Sequence, residues 1–199
     1  MDMIENRTFD EIKPGDTASL VRTLSMADIE LFAVMSGDVN PAYVDEEYAK
    51  SDVFHKIVAH GMWGASLIST LLGTKLPGPG TIYLGQTLHF HHPVTVGGTI
   101  TVTVTARTRD IEDHTVVFDC QCVNQRGEVV ISGSAQVIAP MEKVKRPRTI
   151  LPEVHLHEHG VWYRHLITLT HGFEPIRTAV VHSVDSNALL GAIEAAAPT

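Results

Sequence analysis

The clearest chemical signal in the chain is one carboxylate and its neighbours. The stretch Ser36-Gly37-Asp38-Val39-Asn40-Pro41-Ala42-Tyr43-Val44-Asp45 sets Asp38 in a turn. Gly, Asn and Pro favour turns, and a carboxylate held in one is placed for acid–base work. Such work wants a partner that takes and returns a proton near neutral pH. A residue five positions on would be well placed, and there the chain has Tyr43. A phenol has an ordinary pKa of about 10, and burial raises it. Tyr43 can therefore orient a water or donate a proton, but it is a poor acceptor. Asp38 alone would then serve as a weak base, its pKa raised by apolar surroundings.

Histidine suits that task better, and the chain has 12 of them. His60 precedes Gly61 at the start of an apolar run, and the reading favoured for it is a helix-start residue bonded to backbone. His55 is expected in an exposed loop. His89 and His91 share one face of a strand and His92 the other, a surface face that could approach a substrate tunnel. His155, His157 and His159 alternate beside Glu158 and could bind a divalent metal in an extended segment. No rigid scaffold is evident there, so a solvated linker is expected and no metal is assigned. Cys120 and Cys122 should point to one face of a strand, where a bridge between them would be strained.

These residues need elements to position them. Thr17 to Leu24 is a strand candidate. Ser25, with Asp28 three residues on, caps a helix whose stripe of Ile29, Phe32, Ala33 and Val34 stops at Gly37. Asp45 to Lys50 reads as a short polar helix. "GMWGASLISTLLG", Gly61 to Gly73, reads as a buried central helix, with Gly64, Ala65 and Ser66 allowing close approach to its backbone. After "LPGPG", the strands expected are Ile82 to His92, Thr99 to Thr105, His114 to Val123 and Glu128 to Ala139, joined largely by hairpins. The pattern predicts an α+β chain, with an antiparallel sheet wrapped around a central helix in the hot-dog arrangement. Open sheet edges favour pairing with a second copy. Residues 1–140 form this domain, and 141–160 read as a basic, then Pro- and His-rich linker. Lys143, Lys145, Arg146 and Arg148 could meet phosphates, with a charged linker favoured. In 161–199, one strand and a helix cannot bury both faces, so the segment reads as the beginning of a longer domain.

A net charge of −8 with no long like-charge run argues against nucleic acid as a partner. No stretch is long enough to span a membrane, and "MDMIENRTFDEIKPGD" lacks the apolar core of a signal peptide, so a cytoplasmic location is expected.

"MSGDVNPAYVDEEYA", "VFHKIVAHGMWGASLIS" and "LPGPGTIYLGQTLHFHHPVTVGGTITVTV" closely resemble the MaoC-like (R)-specific enoyl-CoA hydratases, over roughly residues 8–140. The resemblance implies a hot-dog homodimer or higher homo-oligomer. It implies hydration of trans-2-enoyl-CoA to (R)-3-hydroxyacyl-CoA, with coenzyme A as part of the substrate and no other cofactor. It gives Asp38 the role of catalytic carboxylate, and Gly61 that of a backbone N–H polarising the thioester carbonyl. Ser69 would order the aspartate and water, and Asn40 matches the turn asparagine. The family's catalytic histidine falls on Tyr43. In that family the "LPGPG" loop lies near the acyl pocket. His60 and Trp63 are expected at the substrate, Trp63 as core or pocket wall. The segment "WYRHLITLTHGFEPIRTAVVHSVDSNALLGAIEAA" resembles the opening of a phosphate acetyltransferase or butyryltransferase domain. That order of units is the one found in bifunctional enoyl-CoA hydratase/phosphate acetyltransferases.

Three readings follow: a hydratase with reduced hydration, a degenerate acyl-CoA-binding and dimerisation module, and a hot-dog thioesterase. The turn from Asp38 to Asn40 and the strand "YLGQTLHFHHPV" favour the first over the third; Tyr43 favours the second.

Overall fold

The computed structural model describes residues 2–152, 154, 156, 168 and 169. The chain divides into two compact units, Met1–Leu156 and His157–Thr199. The readings of His155, His157, Glu158 and His159, and of the unit at 161–199, lie outside the described residues. The exceptions are Thr168 and Leu169, which are helical and exposed.

In the first unit, β1 is Met3–Glu5 and β2 is Thr17–Thr23. Then come the helices α1, Met26–Ser36; α2, Pro41–Val44; α3, Glu46–Ser51; and α4, Gly61–Thr74. The strands β3, Ile82–Phe90; β4, Thr99–Asp110; β5, Thr115–Asn124; β6, Val129–Ile138; and β7, Lys145–Pro147 complete it. Alternation fixes which face of the sheet is inside. Ile100, Val102 and Val104 of β4 are fully buried, while the threonines between them face away from the core. Cys120 and Cys122 of β5 also face the core, and burial pushes their thiols up to about 11 and about 12. Asn124 turns the chain from β5 to β6, its side-chain oxygen accepting from the N–H groups of Arg126 and Glu128.

All pairings are antiparallel, in the order β2-β4-β5-β6-β3. This corrects the expectation of hairpins between successive strands at one point. β3 does not pair with β4. It lies at the far edge on β6, so residues 91–98 carry the chain across the sheet. α4 packs on the sheet's inner side through Trp63, Ile68, Leu71 and Leu72. Gly64 makes this fit possible: a Cβ there would stand 2.4 Å from Ile131 Cδ1 of β6.

The α1 cap forms as expected. The Asp28 N–H donates to Ser25 Oγ at 3.2 Å, the Ser25 N–H donates to the Asp28 carboxylate at 2.8 Å, and Arg22 pairs with Asp28 at 2.6 Å. Gly37 closes the helix in the left-handed conformation at φ 75°. Ile29 and Ala33 are buried, but Val34, placed in the apolar stripe by the sequence, is 71% exposed.

The expected linker begins as structure. β7 pairs with β1, and buried Asn6 fastens the junction: its Nδ2 donates to the carbonyls of Pro79 and Glu142, and its Oδ1 accepts from the Val144 N–H. Lys143 pairs with Glu5 and Glu11, Lys145 with Glu5, and Arg148 with Asp2. These acids occupy most of the basic run suggested as a phosphate contact. Gly78 and Gly80 of the "LPGPG" loop pack on Asn6 and Pro140. Among the described residues, no helix is long and apolar enough to cross a membrane.

Candidate active site

The region around the start of α4 gathers most of the residues singled out by sequence. Gly61 is the first helical residue, so its N–H has no acceptor within the helix. The helix is 14 residues long, and its dipole adds positive potential at that N–H. Gly61 opens onto a cavity of about 520 Å³, within the range of small-molecule sites. Asn40, Tyr43, His60 and Trp63 line it, together with Phe90 and Ile131. Trp63 is 5% exposed and forms part of the apolar wall.

Asp38 lies in the connection between α1 and α2, held at three points. Its N–H donates to Ser36 Oγ at 3.2 Å, its carboxylate accepts the Asn40 N–H at 3.2 Å, and its carbonyl accepts from His60 Nε2 at 3.1 Å. Asn40 caps α2, accepting the Ala42 N–H at 3.1 Å, with Pro41 at the first helical position. The turn is therefore built as the residue types imply. The apolar surroundings expected around Asp38 are absent, because in the single chain the residue is exposed and does not line the cavity. Ser69 is likewise exposed, two turns along α4 from Gly61, and is not in the cavity wall. One chain thus brings together Gly61, Asn40, Tyr43, His60 and Trp63 around the cavity, and leaves Asp38 and Ser69 at its surface.

His60 is 2% exposed. A carbonyl only accepts, so the bond to Asp38 puts the proton on Nε2 and leaves Nδ1 with a bare lone pair. Nδ1 is buried and, among the described residues, has no partner. Leaving such an atom unpaired costs about 1–3 kcal/mol. The ring packs against Tyr43, with centroids 4.1 Å apart, and against Phe32 at 4.9 Å. The backbone-bonded role favoured from sequence is present. His55 is exposed as expected, in a left-handed conformation at φ 53°, with its Nδ1 against the Lys50 carbonyl at 3.0 Å. His91 lies just past β3, with its Nε2 2.8 Å from Ser132 Oγ, and both His91 and His92 reach the cavity.

Sequence reasoning missed Phe90. Its ring lies 3.2 Å from where a Gly61 side chain would begin, so a larger residue there would require the Phe90 ring to shift. The contact joins the end of an edge strand to a helix start, and no local pattern signals it. Among the described residues, no three His, Cys, Asp or Glu side chains cluster to hold a metal.

Chemically, the arrangement offers a largely apolar chamber whose wall includes the first residue of a 14-residue helix, where a free N–H and the helix dipole favour negative charge, while Asp38 lies outside that lining. The MaoC like domain family model matches residues 11–123. An (R)-specific enoyl-CoA hydratase of Rhodospirillum rubrum is 49% identical over 132 residues, covering 66% of this chain and 91% of that protein. A 3-hydroxybutyryl-CoA dehydratase of Methylorubrum extorquens is 37% identical over 139 residues, covering 70% of this chain and 88% of that one. Among solved structures, the unliganded R-hydratase PhaJ1 of Pseudomonas aeruginosa aligns with a TM-score of 0.76 at 36% identity, covering 78% of this chain and all of that one.

Proposed function

The chain belongs to the MaoC-like domain family, and from that premise we propose that it adds water to trans-2-enoyl-CoA thioesters to give (R)-3-hydroxyacyl-CoA. The observation that carries this reading is the largely apolar cavity of about 520 Å³ whose lining includes Gly61, the first residue of α4. In this role the acyl chain lies along Trp63, and the thioester oxygen accepts from Gly61 as it gains charge. Asp38, with Ser69, orders the water that attacks C3 and manages its proton. Coenzyme A enters as part of the substrate, and the reaction needs no other cofactor. Tyr43 stands where the family's histidine acts, and hydration is slowed for want of that base. The homodimer implied by the resemblance is part of this proposal, as is the reading of residues 161–199 as the beginning of a phosphate acetyl- or butyryltransferase unit. That last reading rests on the sequence of the segment alone.

The second reading, an acyl-CoA-binding and dimerisation module, is favoured by Tyr43 itself. Crotonyl-CoA separates the readings when loss of enoyl absorbance is followed together with product mass, on the parent, Tyr43→His and Asp38→Asn. The expected product is hydroxyacyl-CoA, absent with Asp38→Asn. Free thiol would make the protein a thioesterase. No product from the parent or from Tyr43→His would leave the binding module.

A further inference from the structure

We propose that His60 is a positioning residue: its imidazole ties the turn carrying Asp38 to the helix carrying Gly61 and sets their separation. This rests on the roles proposed above for Asp38 and Gly61. The hydrogen bond from His60 Nε2 to the Asp38 carbonyl joins residues 26–52 to residues 57–75, and among the described residues no other hydrogen bond does so. One peptide bond separates His60 from Gly61, so the anchored ring fixes the carboxylate's turn relative to the oxyanion N–H. Phe32 of α1 and Tyr43 of α2 pack against the ring at 4.9 and 4.1 Å, which restricts its rotation.

The choice of residue supports the assignment. His60 occupies the N-cap of α4, a position that favours Ser, Thr, Asp or Asn, and its side chain makes no capping bond. Among the described residues its buried Nδ1 has no partner, and the bond to Asp38 is the imidazole's only polar attachment. The site forgoes a better cap and tolerates an unmatched lone pair, and what it obtains in return is the reach to Asp38.

Two substitutions separate the tether from the cap. Asn at 60 is a preferred N-cap, but its amide stops short of the Nε2 position. Gln places an N–H donor at about the reach of Nε2. The experiment compares His60→Asn and His60→Gln in the full chain, both in the parent and in the Tyr43→His background. It reads kcat and KM for crotonyl-CoA hydration, amide hydrogen exchange across residues 38–43, and thermal melts. His60→Asn should melt close to its parent and lose roughly 10- to 100-fold in kcat with little change in KM. Its amides at 38–43 should exchange about tenfold faster while those of α4 stay protected. His60→Gln should recover both. Parental kcat and exchange in His60→Asn would overturn the assignment, as would failure of His60→Gln to recover either while its melt is unchanged. If neither background hydrates crotonyl-CoA, exchange alone decides. Should Asp38→Asn hydrate normally while exchange responds as described, the role of Asp38 falls and the tether stands.

Discussion

At the scale of single residues, the proposed reading makes position 43 the one that sets how well water is activated. Tyr43 lines the cavity and packs against His60, so a ring is accommodated there whatever its chemistry. An imidazole with an ordinary pKa near 6.5 takes a proton at neutral pH, where a phenol with an ordinary pKa of about 10 does not. Tyr43→His should raise kcat for crotonyl-CoA at pH 7.5 by about 10²–10⁴-fold, the usual contribution of a general base. Its rate should fall as pH drops through the ordinary histidine range, because protonation removes the acceptor. A variant no faster than the parent would place the base on another group. The turn at Asp38 and Asn40 and the helix start at Gly61 were legible in the sequence because each is locally encoded in a short motif. The His60–Asp38 bond and the Phe90–Gly61 contact were not, because their partners are brought together only by the tertiary fold.

At the scale of elements, α1 supplies Phe32 to the ring of His60, so the integrity of its first turn bears on the site. Burial raises the pKa of Asp28, but hydrogen bonds from the Ser25 side chain, Arg22 and the Ser25 backbone outweigh it, and the carboxyl is held below the ordinary carboxylate range. A depressed folded pKa contributes stability that is present above the ordinary aspartate value of about 3.9 and is lost as pH falls through the lower folded value. Asp28→Asn should therefore cost about 1 kcal/mol at pH 7, read as a fall of roughly 2–4 °C in Tm, with the deficit shrinking below about pH 4. An equal deficit at pH 7 and pH 3 would mean that the charged carboxylate is not what stabilises the cap. This box was legible as Ser25 and Asp28 alone, and the alternation of β4 was equally plain. Other elements were not. Pro41–Val44 is a single turn, too short for a periodic signal, and Asn-Pro reads as a loop. β1 and β7 have three residues each, too few for an alternation to show, and become strands only by pairing across the length of the unit. The placement of β3 on β6 is a choice among edges that alternation does not encode.

At the scale of the whole molecule, one chain is an unfinished enzyme in the proposed reading, since Asp38 and Ser69 stay at the surface while the cavity holds the other groups. The sequence shows which residues share a motif but not which surface a second chain would cover. β3 is an edge strand, and Ile82, Leu84 and Phe90 on it are 57%, 51% and 53% exposed. An open, apolar edge of this kind invites strand pairing, and a twofold copy would place the same strand opposite itself. Leu84 is the informative position. It falls at the irregularity between Tyr83 and Gly85 and has no register partner on β6, so its replacement leaves the β3–β6 ladder intact. Leu84→Lys should set like charges against each other across the interface, a penalty of several kcal/mol. Sedimentation equilibrium should then find the parent dimeric at low micromolar concentration and the variant dissociated, with a Kd raised by at least about 100-fold. If the site is completed between copies, hydration by Leu84→Lys should rise with protein concentration in step with its dimer fraction. A parent that is monomeric and fully active at those concentrations would mean that Asp38 works from the surface of a single chain, and that the exposed edge serves some other contact.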